Sequence, residues 1–234
     1  MSDKTVGIIG GMGPEATVDL MSKVINLTPA KDDADHIRMI VDNNPKIPSR
    51  IKALIEKTGE SPGPAMVAIA LSLEAYGADF TVIPCNTAHH YYNEVAQAVT
   101  VPVLNMLELV VNNVRLKHPQ LRKVGILAST AVIGLKMYDR LFADHAIEVV
   151  APATAVQQNV MDSIRQIKSG IKDANTVNEL NSAIQHLEAQ GAECIIIACT
   201  ELSVVSILLQ TKVDIYDAAQ VLAEQIVALA KTNQ

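Results

Sequence analysis

One half of this chain repeats the other, and a repeat of that length limits the fold to two similar units. Val6-Gly7-Ile8 is matched by Val124-Gly125-Ile126 at an offset of 118 (124 − 6), and Ile83-Pro84-Cys85 by Ala198-Cys199, cysteine on cysteine, at 114 (199 − 85). The run from Val101 to Met106 is matched by Val213 to Ala218 at 112 (213 − 101). So small a drift in offset is what results when insertions and deletions fall in loops and the elements themselves are kept. A length of 234 residues lets each unit bury its own core.

The elements are α/β in kind. Short apolar runs stand at 5–10, 36–41, 80–84, 101–105, 123–128, 148–152, 194–199 and 213–217. Because they are continuous rather than alternating, they suit strands covered on both faces, and so a mainly parallel sheet with crossover helices. Helices are predicted between them, among others over 15–27, 64–76, 155–168, 175–190 and 218–231, where apolar residues recur three and four apart. The chain is therefore read as two Rossmann-like α/β domains with parallel sheets, related by a pseudo-two-fold axis, the active site lying in the cleft between them. The first domain takes 1–104 and, through a returning C-terminal helix, 212–234; the second takes 105–211.

Composition narrows the function. Apolar residues make up 49% and charged residues 19%, the balance of an ordinary globular protein. A formal net charge of −6 disfavours nucleic acid and anionic membrane as partners. The start, MSDKTVGIIGGMG, has no export signal, and no run of about 18 apolar residues is present, so a cytoplasmic protein is expected. Three cysteines with no CxxC pair point to free thiols rather than to a disulfide framework or a zinc site.

Two of those thiols stand at equivalent places, the carboxyl ends of strands, where open α/β sheets bind ligands. The first constellation is Cys85-Asn86-Thr87-Ala88-His89-His90. Asn86 and Thr87, at an expected helix start, put donors where a substrate carboxylate can be held, and the field of such a start lowers the pKa of a thiol. Taken alone, the motif reads equally well as a buried structural cysteine before an Asn cap. The second constellation is Ala198-Cys199-Thr200-Glu201-Leu202. An acidic neighbour such as Glu201 raises a thiol's pKa, so Cys199 is expected to rest protonated with Cys85 as thiolate, or the roles alternate with the handedness of the substrate. Cys194 lacks polar company and is read as core.

A matched pair of thiols suits the removal of a proton from one face of a stereocentre and the delivery of another to the opposite face. The carbanion then depends on a desolvated pocket and on donors to the carboxylate. Gly10-Gly11-Met12-Gly13-Pro14 fits neither GxGxxG nor a Walker pattern; close approach of its backbone to a small substrate fits better. His89 and His90 stand behind the site or on the surface, and Asp42, Asn43 and Asn44 either shape the pocket or only make a turn.

GIIGGMGPEAT, DNNPKIP followed by Arg50, GADFTVIPCNTAHH, VPVLNM, the IxxIKSG run from Lys168 to Gly170, and GAECIIIACTEL span nearly the whole chain. Together they resemble the aspartate racemase branch of the aspartate/glutamate/hydantoin racemase superfamily. The resemblance implies racemisation of an acidic amino acid without cofactor or metal, Cys85 and Cys199 as catalytic residues, and a homodimer. It also implies that Arg50 and Lys168 read the substrate carboxylates, where the residues alone would make Lys168 a solvated lysine at a helix end. Asn86, Thr87 and Thr200 would hold the amino-acid end, and Glu201 and Met12 complete the substrate-binding set. Ser49 stands before Arg50 where an acidic residue is usual, which bears on how Arg50 is oriented, and Ser203 stands where proline is common. Glutamate racemases carry histidine after the second Cys-Thr pair, so Glu201 favours aspartate. Broad specificity, a maleate- or hydantoin-type isomerase, and a two-lobed amino-acid-binding protein are the alternatives.

Overall fold

The computed structural model describes residues 3–231. By packing, the chain divides into two compact units, residues 3–109 with 219–231, and residues 110–218. The first contains β1 (Val6–Gly10), α1 (Pro14–Leu27), β2 (Met39–Asn43), α2 (Gly63–Ala75), β3 (Phe80–Val82), α3 (Tyr92–Ala98) and β4 (Val103–Leu104). Helix α4 (Met106–Lys117) then leads into the second, with β5 (Lys123–Ala128), α5 (Thr130–Gly134), α6 (Met137–Ala143), β6 (Glu148–Val150), α7 (Thr154–Lys168), α8 (Ala174–Ala189), β7 (Cys194–Ala198), α9 (Thr200–Ser203) and β8 (Asp214–Asp217). Helix α10 (Ala218–Ala230) returns to the first unit. The domain limits read from the sequence shift accordingly. Residues 105–109 cluster with the first unit, and 212–218 with the second, because β8 is hydrogen-bonded to β7. Positions 1–2 and 232–234 of the expected first domain lie outside the described residues.

Each sheet is parallel throughout, in the order β2-β1-β3-β4 and β6-β5-β7-β8. All five residues of β1 and all five of β7 are buried, which is why their runs are unbroken apolar. The ladder registers show the repeat residue by residue. Val6 pairs with Phe80 and Val124 with Cys194, so the third strands correspond at 114 (194 − 80). Thr81 pairs with Val103 and Ile195 with Ile215, so the last strands correspond at 112 (215 − 103).

The same offset of 114 relates Leu73-Glu74-Ala75-Tyr76-Gly77-Ala78 to Leu187-Glu188-Ala189-Gln190-Gly191-Ala192, a match with more identities than those from which the repeat was read. Its physical basis is a close approach of helix to strand. A Cβ on Gly7 would meet Ala78 and Thr81 at 3.0 Å and Leu73 at 3.1 Å; one on Gly125 would meet Ile195 at 2.7 Å, Ala192 at 3.0 Å and Leu187 at 3.1 Å. Those are the corresponding residues, so in each unit only glycine lets the helix seat on the strand. Among the described residues no helix is long and apolar enough to cross a membrane.

Candidate active site

In the order β2-β1-β3-β4 the chain passes from one side of β1 to the other between β2 and β3, which opens a crevice at the carboxyl ends of β1 and β3. The loop after β1 carries Met12, and the loop after β3 carries Cys85. Both are buried, at 2% and 7% exposure, in one apolar cluster with Ile83, Ala88 and Tyr91. Asn86 and Thr87 are buried beside them. The α-helix start expected at Asn86 is not there: a 3-10 turn runs from Thr87 to Tyr91, the Asn86 side chain does not cap it, and α3 begins only at Tyr92.

His89 holds this loop in place. Its Nδ1 lies 2.9 Å from the Cys85 carbonyl and its Nε2 lies 3.0 Å from the Met106 amide. Because the amide can only donate, Nε2 accepts and Nδ1 carries the proton. Burial pushes the imidazole down to about 4, so at neutral pH His89 is an uncharged bridge between the cysteine and the start of α4. His90 is exposed.

Arg50 stands on the segment after β2. Nη2 donates to the Met12 carbonyl at 3.0 Å and Nη1 to the Pro48 carbonyl at 3.3 Å, so two backbone oxygens orient the guanidinium without an acidic residue at position 49. The Asn44 carboxamide accepts from the Lys46 amide at 2.9 Å, which makes it a turn residue. The glycine loop packs tightly on this turn: a Cβ on Gly11, whose φ is +90°, would lie 2.2 Å from the Asn44 backbone.

In the second unit the order β6-β5-β7-β8 opens the equivalent crevice, with Ser129 and Thr130 after β5 and Cys199 directly after β7. Cys199 and Glu201 are each 7% exposed and Thr200 is 2% exposed. The Cys199 Sγ donates to Glu201 Oε2 at 3.1 Å, and Lys168 Nζ makes an ion pair with Glu201 Oε1 at 3.1 Å. Burial above all, then the charge and hydrogen bond of Glu201, push the Cys199 thiol well above its usual range, with Lys168 pulling the other way. Lys168, the last residue of α7, is thus not a purely solvated lysine: it faces Glu201. Cys194 lies in the core, its thiol pushed up to about 12 chiefly by burial.

Several buried polar groups here were not singled out from the sequence. Asp217 accepts from Ser203 Oγ at 2.5 Å and from Ser206 Oγ at 3.2 Å, tying the cysteine loop to the end of β8. Gln157, on α7, donates to the Ala128 carbonyl at 3.0 Å and to Thr130 Oγ1 at 3.4 Å. Extending the 118-residue offset past β5 would have placed Ser129 and Thr130 opposite Gly11 and Met12 (129 − 11 = 118). Among the described residues no group of three or more His, Cys, Asp or Glu side chains is gathered as for a metal ion.

Known proteins are similar to this chain in sequence and fold. The chain is 30% identical over 230 residues to the broad specificity amino-acid racemase RacX of Bacillus subtilis, covering 95% of this chain and 96% of that one. An aspartate racemase of Picrophilus torridus superposes with a TM-score of 0.83 at 31% identity, over 97% of this chain and 94% of that one. A glutamate racemase of Bacillus anthracis shares the fold, with a TM-score of 0.67 at 18% identity, over 99% and 82%. The Asp/Glu/Hydantoin racemase family profile matches residues 9–226, and the chain belongs to that family.

Proposed function

We propose that the protein interconverts L- and D-aspartate by two-base proton transfer, with Cys85 and Cys199 as the two catalytic groups and no cofactor. The observation that carries this reading is the equivalence of the cysteines: each follows the third strand of its own sheet, 114 residues apart (199 − 85), each buried and followed by polar residues. One thiolate takes the Cα proton, and the other thiol gives its proton to the opposite face. Each turnover therefore ends with the sulfurs' protonation states exchanged, and the reverse reaction starts from there. In this reading Asn86, Thr87 and Thr200 donate to the α-carboxylate as charge builds on it, Arg50 and Lys168 attract the side-chain carboxylate, and Met12 and Glu201 complete the wall. The 31% identity to an aspartate racemase and the bidentate potential of the oriented Arg50 support an acidic substrate. The enzyme would work as a cytoplasmic homodimer, on a small molecule and without nucleic acid or membrane, in keeping with a formal charge of −6.

The test is incubation of L-aspartate in heavy water, following optical rotation and label at Cα together. Loss of rotation with label entering at Cα is the expected result. Binding without exchange would make the chain an amino-acid-binding protein instead. A second reading, wider amino-acid specificity, is favoured by the relative from Bacillus subtilis; equal turnover of aspartate and neutral amino acids would establish it.

A further inference from the structure

Cys199, Glu201 and Lys168 form a line of contacts. The thiol donates to one carboxylate oxygen at 3.1 Å, and the ammonium stands 3.1 Å from the other. Cys199 and Glu201 are each 7% exposed, so water scarcely competes for the carboxylate, whereas the lysine side chain reaches in from 43% exposure. We propose that Glu201 is a positioning residue that parks the proton on Cys199, and that Lys168 is the counter-charge that loosens its hold. The inference deepens the racemase reading and rests on it for its kinetic consequence, though not for its chemistry.

Glu201 favours the thiol twice over. The S–H···O bond exists only while the sulfur is protonated, and a thiolate would confront the carboxylate charge at the same short distance. The charged groups acting on the sulfur are Glu201 from α9 and Lys168 from α7. Asp217, at the end of β8, is instead engaged with Ser203 and Ser206. The first unit has no carboxylate at this place, since Thr87 occupies the position of Glu201 (201 − 87 = 114). The resting protein therefore presents Cys199 as the proton donor, and turnover starts with the enantiomer whose replacement proton comes from that sulfur. Enantiomers have equal free energies, so kcat/KM must be the same in both directions. The bias then shows as kcat and KM differing between enantiomers in the same ratio.

The experiment is alkylation by iodoacetamide, mapped separately at Cys85 and Cys199 across pH, in the wild type, Glu201→Gln and Lys168→Met. Glu201→Gln should lower the pH midpoint at Cys199 and raise its rate at neutral pH, about tenfold for every whole pH step by which the midpoint falls. Lys168→Met should move the midpoint up and slow the reaction, with Cys85 unchanged in both. Mere loosening of the loop would speed both variants without moving either midpoint. A midpoint at Cys199 that stays put or rises in Glu201→Gln overturns the proposal. Should that variant fail to fold, Lys168→Met decides alone, and an unchanged or faster Cys199 overturns it. Alkylation asks nothing of turnover. A chain inert to aspartate with opposite midpoint changes would keep this inference and lose the racemase reading, and an active racemase with unmoved midpoints would do the reverse.

Discussion

The two units use one frame and two electrostatic solutions at its edge. Frame contacts recur in place. The Asp79 carboxylate accepts from the Thr5 amide at 2.6 Å, and Glu193 from the Lys123 amide at 3.0 Å. Glu74 receives the amides of Thr100 and Val101, and Glu188 that of Lys212, each ahead of the last strand of its sheet. Where the strands end, the likeness stops. The position of His89 is taken in the second unit by Ser203 (203 − 89 = 114), so a neutral imidazole bridge to α4 is replaced by a serine bonded to Asp217. The position of Thr87 is taken by Glu201, which brings a carboxylate and its lysine to one thiol alone. Packing that supports the sheet tolerates little change, whereas side chains at the strand ends can diverge to divide the work.

The sharpest way to break the comparison is at the sulfurs. Cys85→Ser and Cys199→Ser should each slow racemisation of aspartate by roughly a hundred- to ten-thousandfold, the span of a lost general acid or base. Full turnover in either variant, measured polarimetrically, would end the equivalence. His89 should add to the first unit's acid sensitivity a contribution that Ser203 cannot make in the second. Its folded pKa is depressed to about 4 from 6.5, so between those values the unfolded chain binds a proton that the folded chain refuses. Stability therefore falls as pH drops through that window, by roughly 3 kcal/mol over its whole width. The fall in urea midpoint between pH 7 and 4.5 should be smaller in His89→Gln than in the wild type.

The glycines should behave alike. Gly7→Ala and Gly125→Ala each force a methyl against a helix and should each cost about 1–3 kcal/mol; unequal losses in urea titrations would mean that the two helix–strand contacts are not the same contact. The smallest effect is expected at Glu74, which is partly exposed at the surface. Hydrogen bonds from Thr100 hold its carboxyl below the usual value of 4.5. Its contribution is therefore present above that value and lost as pH falls through the lowered one, so Glu74→Gln should match the wild type's stability in acid and fall short of it at neutral pH.

Much of this fold was legible because parallel strands buried on both faces leave unbroken apolar runs. Each of the eight runs contains or overlaps a strand, β2 beginning at Met39 rather than His36 and β4 shrinking to two residues after Pro102. The cysteines were legible through the repeat, since strand order places equivalent residues at equivalent ends. The partners of the site residues were not. That His89 reaches Met106, that Arg50 hangs on the Met12 and Pro48 carbonyls, and that Lys168 meets Glu201 are contacts whose distances no spacing encodes.

The amino-acid sequence by itself determined the α/β alternation, the doubling of the chain and the two thiols at strand ends, because these follow from local periodicity and from self-similarity. Tertiary structure alone decided that Lys168 meets the carboxylate beside Cys199 and that the His89 imidazole stays neutral. A protonation state depends on burial and on charges a few ångströms away in space, and residues 33 positions apart, such as Lys168 and Glu201, become neighbours only once the helices and strands are packed.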